Sequence, residues 1–365
     1  MEKDSKIYVA GHRGLVGSAI AANLRGKGYQ NVIGRSHAEL DLLDGVAVRK
    51  FFDEEKPEYV VLAAAHVGGI MANSRYRADF IWQNLQIQQN VIGESWRHDV
   101  KKLLFLGSTC IYPGNAPQPM KEDCLLSSPL EWTNEPYAIA KIAGLKMCES
   151  FNLQYGTDYI AVMPTNLYGP NDNFNLETSH VLPAMMRKLH LARALFEGDM
   201  VAVRSDLARR PVEGVGGDAS EKDILDILAK YGITRESLTL WGTGRPMREF
   251  LWSEDMADAS VYLLENVGFA QLRGEDPQVR NCHVNIGTGS QLSIFDLAGK
   301  VAATVGYRGN ILWDDSKPDG TMLKLCDVSK LHSLGWRHKI EIDEGIRRLY
   351  KWYLDSDAPR RNSNV

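Results

Sequence analysis

The first half of the chain alternates short apolar runs with amphipathic segments. Glu58–Ala65 and Lys102–Gly107 are almost continuously apolar, as expected for strands that are covered on both faces. The alternation predicts strands at Lys6–Ala10, Asn31–Arg35, Glu58–Ala65, Lys102–Gly107 and Tyr159–Thr165, and helices at Leu15–Leu24, Phe80–Trp96 and Tyr137–Tyr155. Repeated strand–helix alternation favours a doubly wound parallel sheet with right-handed crossovers.

The second half contains the same elements in a less regular order. Its predicted helices are Val181–Phe196, Glu221–Tyr231, Asp255–Glu265, Ser293–Val305 and Ile342–Leu354, and its predicted strands are Leu238–Trp241, His283–Ile286 and Ile311–Trp313. Gly198–Ser220 is mixed and polar, and we expect a loop there. The polar tail, Asp355–Val365, is expected to fray.

The composition suits a globular protein of two domains. The chain has 365 residues, of which 44% are hydrophobic and 24% charged, so it can bury a sizeable core. The 42 Lys and Arg against 46 Asp and Glu give a net charge of −4, which lacks the basic footprint of a nucleic-acid binder. Any anionic ligand must therefore be held by a local arrangement of charges.

The ends of the chain and its cysteines point to a cytoplasmic protein. The start, MEKDSKIYVAGHRG, has no apolar signal region, and no stretch approaches the ~18–20 apolar residues of a membrane span. The cysteines are Cys110, Cys124, Cys148, Cys282 and Cys326. This odd, scattered set without CxxC spacing predicts neither a disulfide framework nor a metal site. We expect no membrane and no nucleic acid among the partners.

A glycine-rich loop separates the first predicted strand from the first predicted helix. Gly11, Gly14 and Gly17 form a GxxGxxG pattern. Glycines allow a tight turn and let the backbone approach a pyrophosphate at the helix N-terminus, where N–H groups favour anions. The strand–turn–helix context favours nucleotide binding over a plain glycine-rich turn.

The end of the second predicted strand favours NADP over NAD. NAD binders usually carry Asp or Glu there, whereas this chain has Arg35. Arg35 can pair with a 2′-phosphate, and Arg13 in the glycine loop can add a second positive charge. The alternative is that both arginines are solvated surface residues.

Tyr137 and Lys141 stand four residues apart on one predicted helix face. A nearby cation favours the phenolate and suits Tyr to proton transfer near neutral pH, which predicts a lowered pKa for Tyr137. Ser108 follows the fourth predicted strand, in the crevice at the carboxyl ends of the sheet, where its hydroxyl could bind a substrate carbonyl. The YxxxK spacing by itself also fits an ordinary amphipathic helix.

These elements together resemble the extended short-chain dehydrogenase/reductase family. The matching features are the glycine loop, Ala63-Ala64-Ala65, Ser108, the Tyr137/Lys141 pair and Pro164-Thr165-Asn166-Leu167-Tyr168-Gly169-Pro170. The resemblance implies an α/β fold with a Rossmann-type doubly wound parallel sheet and a smaller C-terminal α/β substrate domain. We assign residues 1–170 to the NADP domain, to which a segment around 250–290 returns, and 171–355 to the substrate domain.

Four further motifs narrow the resemblance to members that act on a GDP-linked 4-keto-6-deoxy sugar. They are His66-Val-Gly-Gly-Ile-Met-Ala-Asn73, Ser108-Thr-Cys110-Ile-Tyr-Pro113, Ser179-His180-Val-Leu-Pro183 and Trp241-Gly-Thr-Gly-Arg-Pro-Met-Arg248-Glu-Phe. The activity implied is epimerisation at C3 and C5, followed by reduction at C4 with NADPH. A homodimer through Phe80–Trp96 and Tyr137–Tyr155 is also implied.

The resemblance also implies the role of each catalytic residue. Cys110 matches the base and His180 the acid of epimerisation. Tyr137 protonates the C4 oxygen, Lys141 lowers its pKa and binds cofactor ribose, and Ser108 holds the keto oxygen. Without the surrounding motif, a buried apolar cysteine is the favoured interpretation of Cys110. The alternative for His180 is a histidine satisfied by backbone near a helix N-terminus.

The ligand contacts are likewise implied residue by residue. The cofactor set is Gly11, His12, Arg13, Gly14, Leu15, Val16, Gly17, Arg35, Leu40, Asp41, Ala63, Ala64, Ala65, Leu106, Gly107, Lys141, Pro164, Asn166, Leu167 and His180. The GDP-sugar set is Ser108, Asn166, Lys188, Trp241, Arg248 and Asp319. Lys188 replaces an arginine common at its position, and Trp241 could instead be a core residue.

One stretch departs from the family pattern. The chain between Lys188 and Trp241 is longer than expected, and the extra piece is about residues 201–235. Its first part is expected to be loop-like and its second part to contain a helix. It could be a lid, a dimer contact or a passive surface insertion, and passive insertion is the default because surface loops tolerate additions.

Two other functions compete with the main interpretation. A nucleotide-sugar 4-epimerase or simple 4-ketoreductase would keep Ser108, Tyr137 and Lys141 but has no use for a paired Cys110 and His180. A regulator that binds NADP without turnover is the other class, although such proteins often lose the Tyr or the Lys.

Overall fold

The computed structural model describes residues 1–275, 279–317 and 319–355. The strands are β1 (Ile7–Ala10), β2 (Val32–Ile33), β3 (Tyr59–Leu62), β4 (Lys102–Leu106), β5 (Tyr159–Pro164), β6 (Asn166–Tyr168), β7 (Ser237–Trp241), β8 (Met247–Arg248), β9 (Phe250–Trp252), β10 (Val284–Ile286), β11 (Leu292–Ser293) and β12 (Asn310–Asp314). Most of them match the apolar runs of the sequence to within one to three residues at each end.

The helices complete the alternation. They are α1 (Leu15–Gly26), α2 (Gly45–Glu55), α3 (Ile70–Arg75), α4 (Arg77–Arg97), α5 (Glu135–Tyr155), α6 (Val181–Phe196), α7 (Met200–Arg209), α8 (Glu221–Lys230), α9 (Ser253–Asn266), α10 (Phe269–Arg273), α11 (Ile294–Val305), α12 (Ser329–Ser333) and α13 (Ile342–Asp355). Short 3₁₀ turns occupy Thr109–Ile111 and Glu122–Cys124.

The chain divides into two compact units. The first comprises residues 1–171, 249–291 and 324–340, and the second comprises 172–248, 292–323 and 341–365, of which the described part ends at Asp355. The first unit contains a six-stranded sheet in the order β10-β5-β4-β3-β1-β2, with every neighbouring pair parallel. The predicted α/β class with a doubly wound parallel sheet is confirmed.

Each central strand of this sheet is buried on both faces. In β4, Leu103 and Phe105 pack into one apolar cluster, whereas Leu104 and Leu106 pack into the other. Because side chains alternate between faces along a strand, two covered faces require an unbroken apolar run. This explains why the KLLFL segment shows no polar alternation.

The second unit is a smaller α/β assembly. Its strands β7 and β12 are parallel partners, with Leu240 opposite Trp313, and β8 pairs with β11 in antiparallel fashion. Helix α6 contacts α7, α11 and β7, and α11 also contacts α13.

The prediction of a loop within Gly198–Ser220 is wrong for residues 200–209, which form α7. The carboxylate of Asp199 caps this helix by accepting a hydrogen bond from the Ala202 N–H at 2.9 Å. Val203 and Leu207, four residues apart, are buried, but the third buried residue is the charged Asp206. A charge on the inward face hides the apolar periodicity that would have indicated a helix.

Candidate active site

The turn between β1 and α1 needs two of its glycines for steric reasons. Gly11 has φ +82°, and a Cβ there would lie 2.8 Å from the backbone nitrogen of Ala64. A Cβ on Gly17 would lie 2.2 Å from the carbonyl oxygen of Gly11. The loop therefore packs tightly against the segment that follows β3.

The N-terminus of α1 suits a bound diphosphate. Among the residues that the structure describes, no side chain caps this helix, and its first turn carries no Asp or Glu. Its first N–H groups therefore keep their hydrogen-bonding capacity for an anion, and the helix dipole favours negative charge there. The cradle fits the pyrophosphate of a dinucleotide such as NADP.

Arg13 and Arg35 both lie close enough to Glu39 to act on its charge. Hydrogen bonds from Ser36 hold the pKa of the Glu39 carboxyl below its usual range, and the charges of both arginines lower it further. Arg35 also pairs with Glu55, with 2.5 Å between Nη2 and Oε1. The two cations predicted for a 2′-phosphate thus lie in one region, with two carboxylates beside them.

Ser108 and Tyr137 lie close enough for the Ser108 side chain to influence the pKa of the phenol. Ser108 follows β4 directly, and its Oγ accepts from the Cys110 N–H at 3.2 Å, which caps the 3₁₀ turn. Burial raises the pKa of Tyr137 and outweighs the influence of the Ser108 side chain, which favours the phenolate. The phenol is therefore a protonated donor at neutral pH.

The lowering of the Tyr137 pKa that was expected from Lys141 is not found. The Lys141 side chain is buried, and its Nζ donates to the carbonyl oxygen of Leu106 at 2.8 Å. That Nζ lies 5.7 Å from the centroid of the Tyr137 ring. Burial lowers the pKa of Lys141 itself to about 7, so its charge changes close to neutral pH.

Cys110 has a positively charged neighbour that the sequence did not indicate. Nζ of Lys324 lies 3.5 Å from Sγ of Cys110, and the two residues are 214 positions apart. Cys110 itself is half-buried. The thiolate form of cysteine can accept a proton from carbon, so Cys110 is a candidate base.

Glu249 holds two backbone segments, one of which lies two residues beyond Lys324. Sequence reasoning did not identify this role. It is fully buried, and its carboxylate accepts from the backbone N–H groups of Thr288 at 2.6 Å and Cys326 at 3.0 Å. Its own carbonyl oxygen accepts from the Asn166 side-chain amide at 2.8 Å. The signal in the sequence was its position inside the WGTGRPMREF motif.

Lys188 and Trp241 lie together in the second unit, as the substrate assignment anticipated. The Lys188 side chain is buried, and its Nζ lies 5.7 Å from the centroid of the Trp241 ring, which is 56% exposed. Nζ of Lys317, which sequence reasoning missed, lies 6.0 Å from the same ring. Burial lowers the pKa of Lys188 to about 8. The exposure of Trp241 argues against the alternative that it is a core residue.

Asp319 holds the glycine turn that follows Trp241. Its carboxylate accepts from the Thr243 N–H at 2.9 Å and from the Thr243 hydroxyl at 2.6 Å. These bonds lower the pKa of Asp319, and the charges of Arg245 and Arg248 add to the effect. Asp319 and Arg248 are therefore neighbours, and the Asp319 carboxylate shapes the loop.

The other predicted residues occupy loops and strand ends. His180 is exposed at the N-terminal boundary of α6, in the second unit. The rest of the cofactor set belongs to the first unit. His12 packs against Gly34, Leu40 and Asp41 follow β2, Ala63–Ala65 follow β3, and Gly107 follows β4. Pro164 ends β5, and Leu167 lies in β6.

In the described ranges, 1–275, 279–317 and 319–355, no group of three or more His, Cys, Asp or Glu side chains is placed to hold a metal ion. None of the helices in those ranges is both long and apolar enough to cross a membrane.

Comparison with known proteins places this site in context. The model of the NAD dependent epimerase/dehydratase family matches residues 7–212 and 210–287. A relative from Arabidopsis thaliana named putative GDP-L-fucose synthase 2 is 49% identical over 361 residues, which cover 99% of this chain and 95% of that protein.

Solved structures of similar length also align. A GDP-6-OMe-4-keto-L-xylo-heptose reductase from C. jejuni is 45% identical with a TM-score of 0.91, over 97% of this chain and 99% of that one. A GDP-mannoheptose C4 reductase from Campylobacter jejuni, solved with NADP bound, is 43% identical with a TM-score of 0.84, over the same shares.

Proposed function

The chain belongs to the NAD dependent epimerase/dehydratase family, and we propose that it converts GDP-4-keto-6-deoxy-D-mannose to GDP-L-fucose. The reaction comprises epimerisation at C3 and C5, followed by reduction at C4 with NADPH. The relative at 49% identity is named for this product. The observation that carries the proposal is the Cys110 thiol beside the Lys324 ammonium, because reduction alone needs no carbon base.

Epimerisation requires a base that removes a proton from carbon. The 4-keto group acidifies the protons on C3 and C5, since the resulting carbanion is an enolate. Cys110 as a thiolate takes such a proton, and the Lys324 ammonium stabilises the thiolate before transfer. His180 returns a proton to the opposite face, which inverts the centre. Each inversion leaves the number of protons on the sugar unchanged.

Reduction uses the neighbouring side chains of Ser108 and Tyr137. NADPH supplies the hydride for C4 when it is bound. Ser108 holds the C4 oxygen, and the protonated Tyr137 phenol donates its proton to that oxygen as negative charge develops there. Lys141, buried beside this pair, binds the ribose of the cofactor and compensates the charge left on Tyr137.

The ligands are held by few cations. Arg13 and Arg35 select the 2′-phosphate of NADP, and the solved relative at 43% identity contains that cofactor. Lys188 and Arg248 bind the diphosphate of the GDP-sugar, while the exposed Trp241 face stacks on its base or sugar. Asp319 maintains the loop that presents Trp241.

A second candidate is reduction at C4 of a GDP-linked 4-keto heptose without epimerisation. Two solved relatives at 43% and 45% identity are named as reductases of GDP-heptoses. Such an enzyme would use Ser108, Tyr137 and Lys141 and leave Cys110 without a catalytic role.

The deciding experiment supplies GDP-4-keto-6-deoxy-D-mannose and NADPH in heavy water. The main proposal expects NADPH oxidation, a GDP-L-fucose product and deuterium at both C3 and C5. A Cys110→Ser variant should lose the deuterium incorporation. Reduced product that carries no deuterium at C3 or C5 would favour the C4 reductase.

Assembly and location complete the proposal. We infer a homodimer through α4 and α5, because Trp82 on α4 and Ile139 and Leu153 on α5 are exposed apolar side chains. We also place the protein in the reducing cytoplasm, in keeping with its five free thiols.

A further inference from the structure

Asp206 of α7 is a carboxylate buried among charged and aromatic partners in the second unit. It is 0% exposed, as is Arg187 of α6. Nε of Arg187 donates to Asp206 Oδ1 at 2.9 Å, and the hydroxyl of Tyr353 on α13 donates to Oδ2. Because a buried charge is tolerated only when it is paired and hydrogen-bonded, these contacts fix α7 to α6 and α13.

The Arg187 guanidinium is held on every side. Its Nη1 donates to the carbonyl oxygen of Phe174 at 3.1 Å, and its Nη2 donates to the carbonyl oxygen of Arg210. The Arg210 guanidinium lies 4.3 Å from the centroid of the Tyr353 ring and 3.6 Å from Asp206 Oδ2. The planar guanidinium of Arg187 can satisfy all of these acceptors in only one orientation. Arg187 therefore sets the rotation of α6 about its axis.

Lys188 is the next residue of the same helix. Successive residues differ by about 100° around a helix axis, so Lys188 leaves α6 on a different face from Arg187. There the Lys188 ammonium lies 5.7 Å from the Trp241 ring on β7. Helix α6 thus contacts α7 through the ion pair and β7 through the substrate-binding lysine.

We propose, on the basis of the GDP-sugar reaction above, that Asp206 is a positioning residue for the nucleotide diphosphate. By holding Arg187 it fixes the rotation of α6, and that rotation sets the place of the Lys188 ammonium beside Trp241. The segment 201–235, which the sequence predicts to be an insertion, thereby acts in substrate binding through its first helix and is not a passive surface addition.

The test measures GDP and NADPH binding by calorimetry on the full chain, without turnover. Asp206→Asn should raise the Kd for GDP by about tenfold or more, because small displacements of a binding group are costly, and leave the Kd for NADPH unchanged. The matched control is Asp218→Asn, an exposed aspartate of the same segment, which should bind both ligands as the wild type does.

A double-mutant cycle separates positioning from general damage. If Asp206 acts through Lys188, Asp206→Asn adds no further loss of GDP affinity in a Lys188→Met background. Additive losses would overturn the proposal, as would a folded Asp206→Asn protein with wild-type GDP affinity.

A second variant covers the case in which Asp206→Asn does not fold and binds neither ligand. Arg187→Met/Asp206→Leu replaces the buried pair with apolar side chains of similar size, which proteins often tolerate. It should retain NADPH binding and lose GDP affinity, and wild-type GDP affinity here would equally overturn the proposal. A wild-type protein that binds GDP but leaves NADPH unoxidised contradicts the proposed reaction and not this inference.

Discussion

The Lys324 ammonium lies 3.5 Å from the Cys110 sulfur, and the proposed epimerisation depends on this contact. Both residues belong to the first unit, and Glu249 holds the backbone of Cys326, two residues beyond Lys324. The sulfur therefore has a positively charged partner in a fixed segment. A positive charge beside a thiolate favours the form that can act as a base.

Replacing Lys324 should impair epimerisation selectively. We expect Lys324→Met to lower solvent deuterium incorporation at C3 and C5 by about 10²-fold, the usual contribution of an acid–base partner. Lys324→Arg restores a cation and should recover most of the exchange. The measurement is mass spectrometry of the sugar after incubation in heavy water, and normal exchange in Lys324→Met would exclude the proposed role.

Replacing Tyr137 should impair reduction at C4 and leave epimerisation in place. Tyr137→Phe removes the proton donor to the C4 oxygen, so the kcat of NADPH oxidation should fall by about 10²–10⁴-fold while deuterium exchange at C3 and C5 continues. Tyr155→Phe, on the same helix, is the matched control and should retain normal kcat. Equal loss of oxidation and exchange in Tyr137→Phe would contradict separate roles for Tyr137 and Cys110.

The buried Lys141 should make stability depend on pH. Burial lowers its pKa to about 7, from an ordinary value near 10.5. Between these two pH values the unfolded chain binds more protons than the folded one. The unfolding free energy of the wild type should therefore increase as pH rises through this window. Lys141→Met removes this group, so its unfolding free energy should exceed that of the wild type. The difference between the two proteins should be larger at pH 7 than at pH 10. The change in that difference is on the order of 1.4 kcal/mol per unit of pKa separation.

Urea titrations at several pH values measure this difference. The exposed Lys50→Met is the control and should give a difference from wild type that is independent of pH. A pH-independent difference for Lys141→Met would show that the Lys141 ammonium is not destabilised by burial.

Arg35 should determine the preference for NADPH. Arg35→Ser should raise the KM for NADPH by about tenfold and leave the KM for NADH nearly unchanged, because only NADPH carries the 2′-phosphate. Glu55→Gln removes the carboxylate that pairs with Arg35 and should lower the KM for NADPH. Steady-state kinetics with both cofactors test the two variants. Equal changes in KM for NADH and NADPH would rule out recognition of the 2′-phosphate by Arg35.

A charge on α4 should disrupt the proposed homodimer. Trp82 is 58% exposed, and Trp82→Glu would place a carboxylate in the apolar interface, so light scattering after gel filtration should show a monomer. Val46→Glu, at an exposed position on α2, is the control and should remain dimeric. An unchanged dimer in Trp82→Glu would place the interface elsewhere.

Local sequence patterns are enough to predict the features that depend on neighbours along the chain. The apolar runs of β3 and β4, the glycine turn after β1 and the four-residue spacing of Tyr137 and Lys141 are local patterns. They predicted a doubly wound parallel sheet and a dinucleotide cradle, because strand period, turn sterics and helix period act over a few residues.

Which distant groups meet, and how burial changes their pKa values, depends on the folded packing. The pairing of Lys324 with Cys110, the binding of two loops by Glu249 and the Arg187–Asp206 ion pair each join segments that no local pattern relates. The pKa of Tyr137 also depends on packing. The spacing to Lys141 predicts that it is lowered, whereas burial raises it. Long-range contacts and desolvation depend on the folded packing, whereas residue spacing reports only what a single element can present.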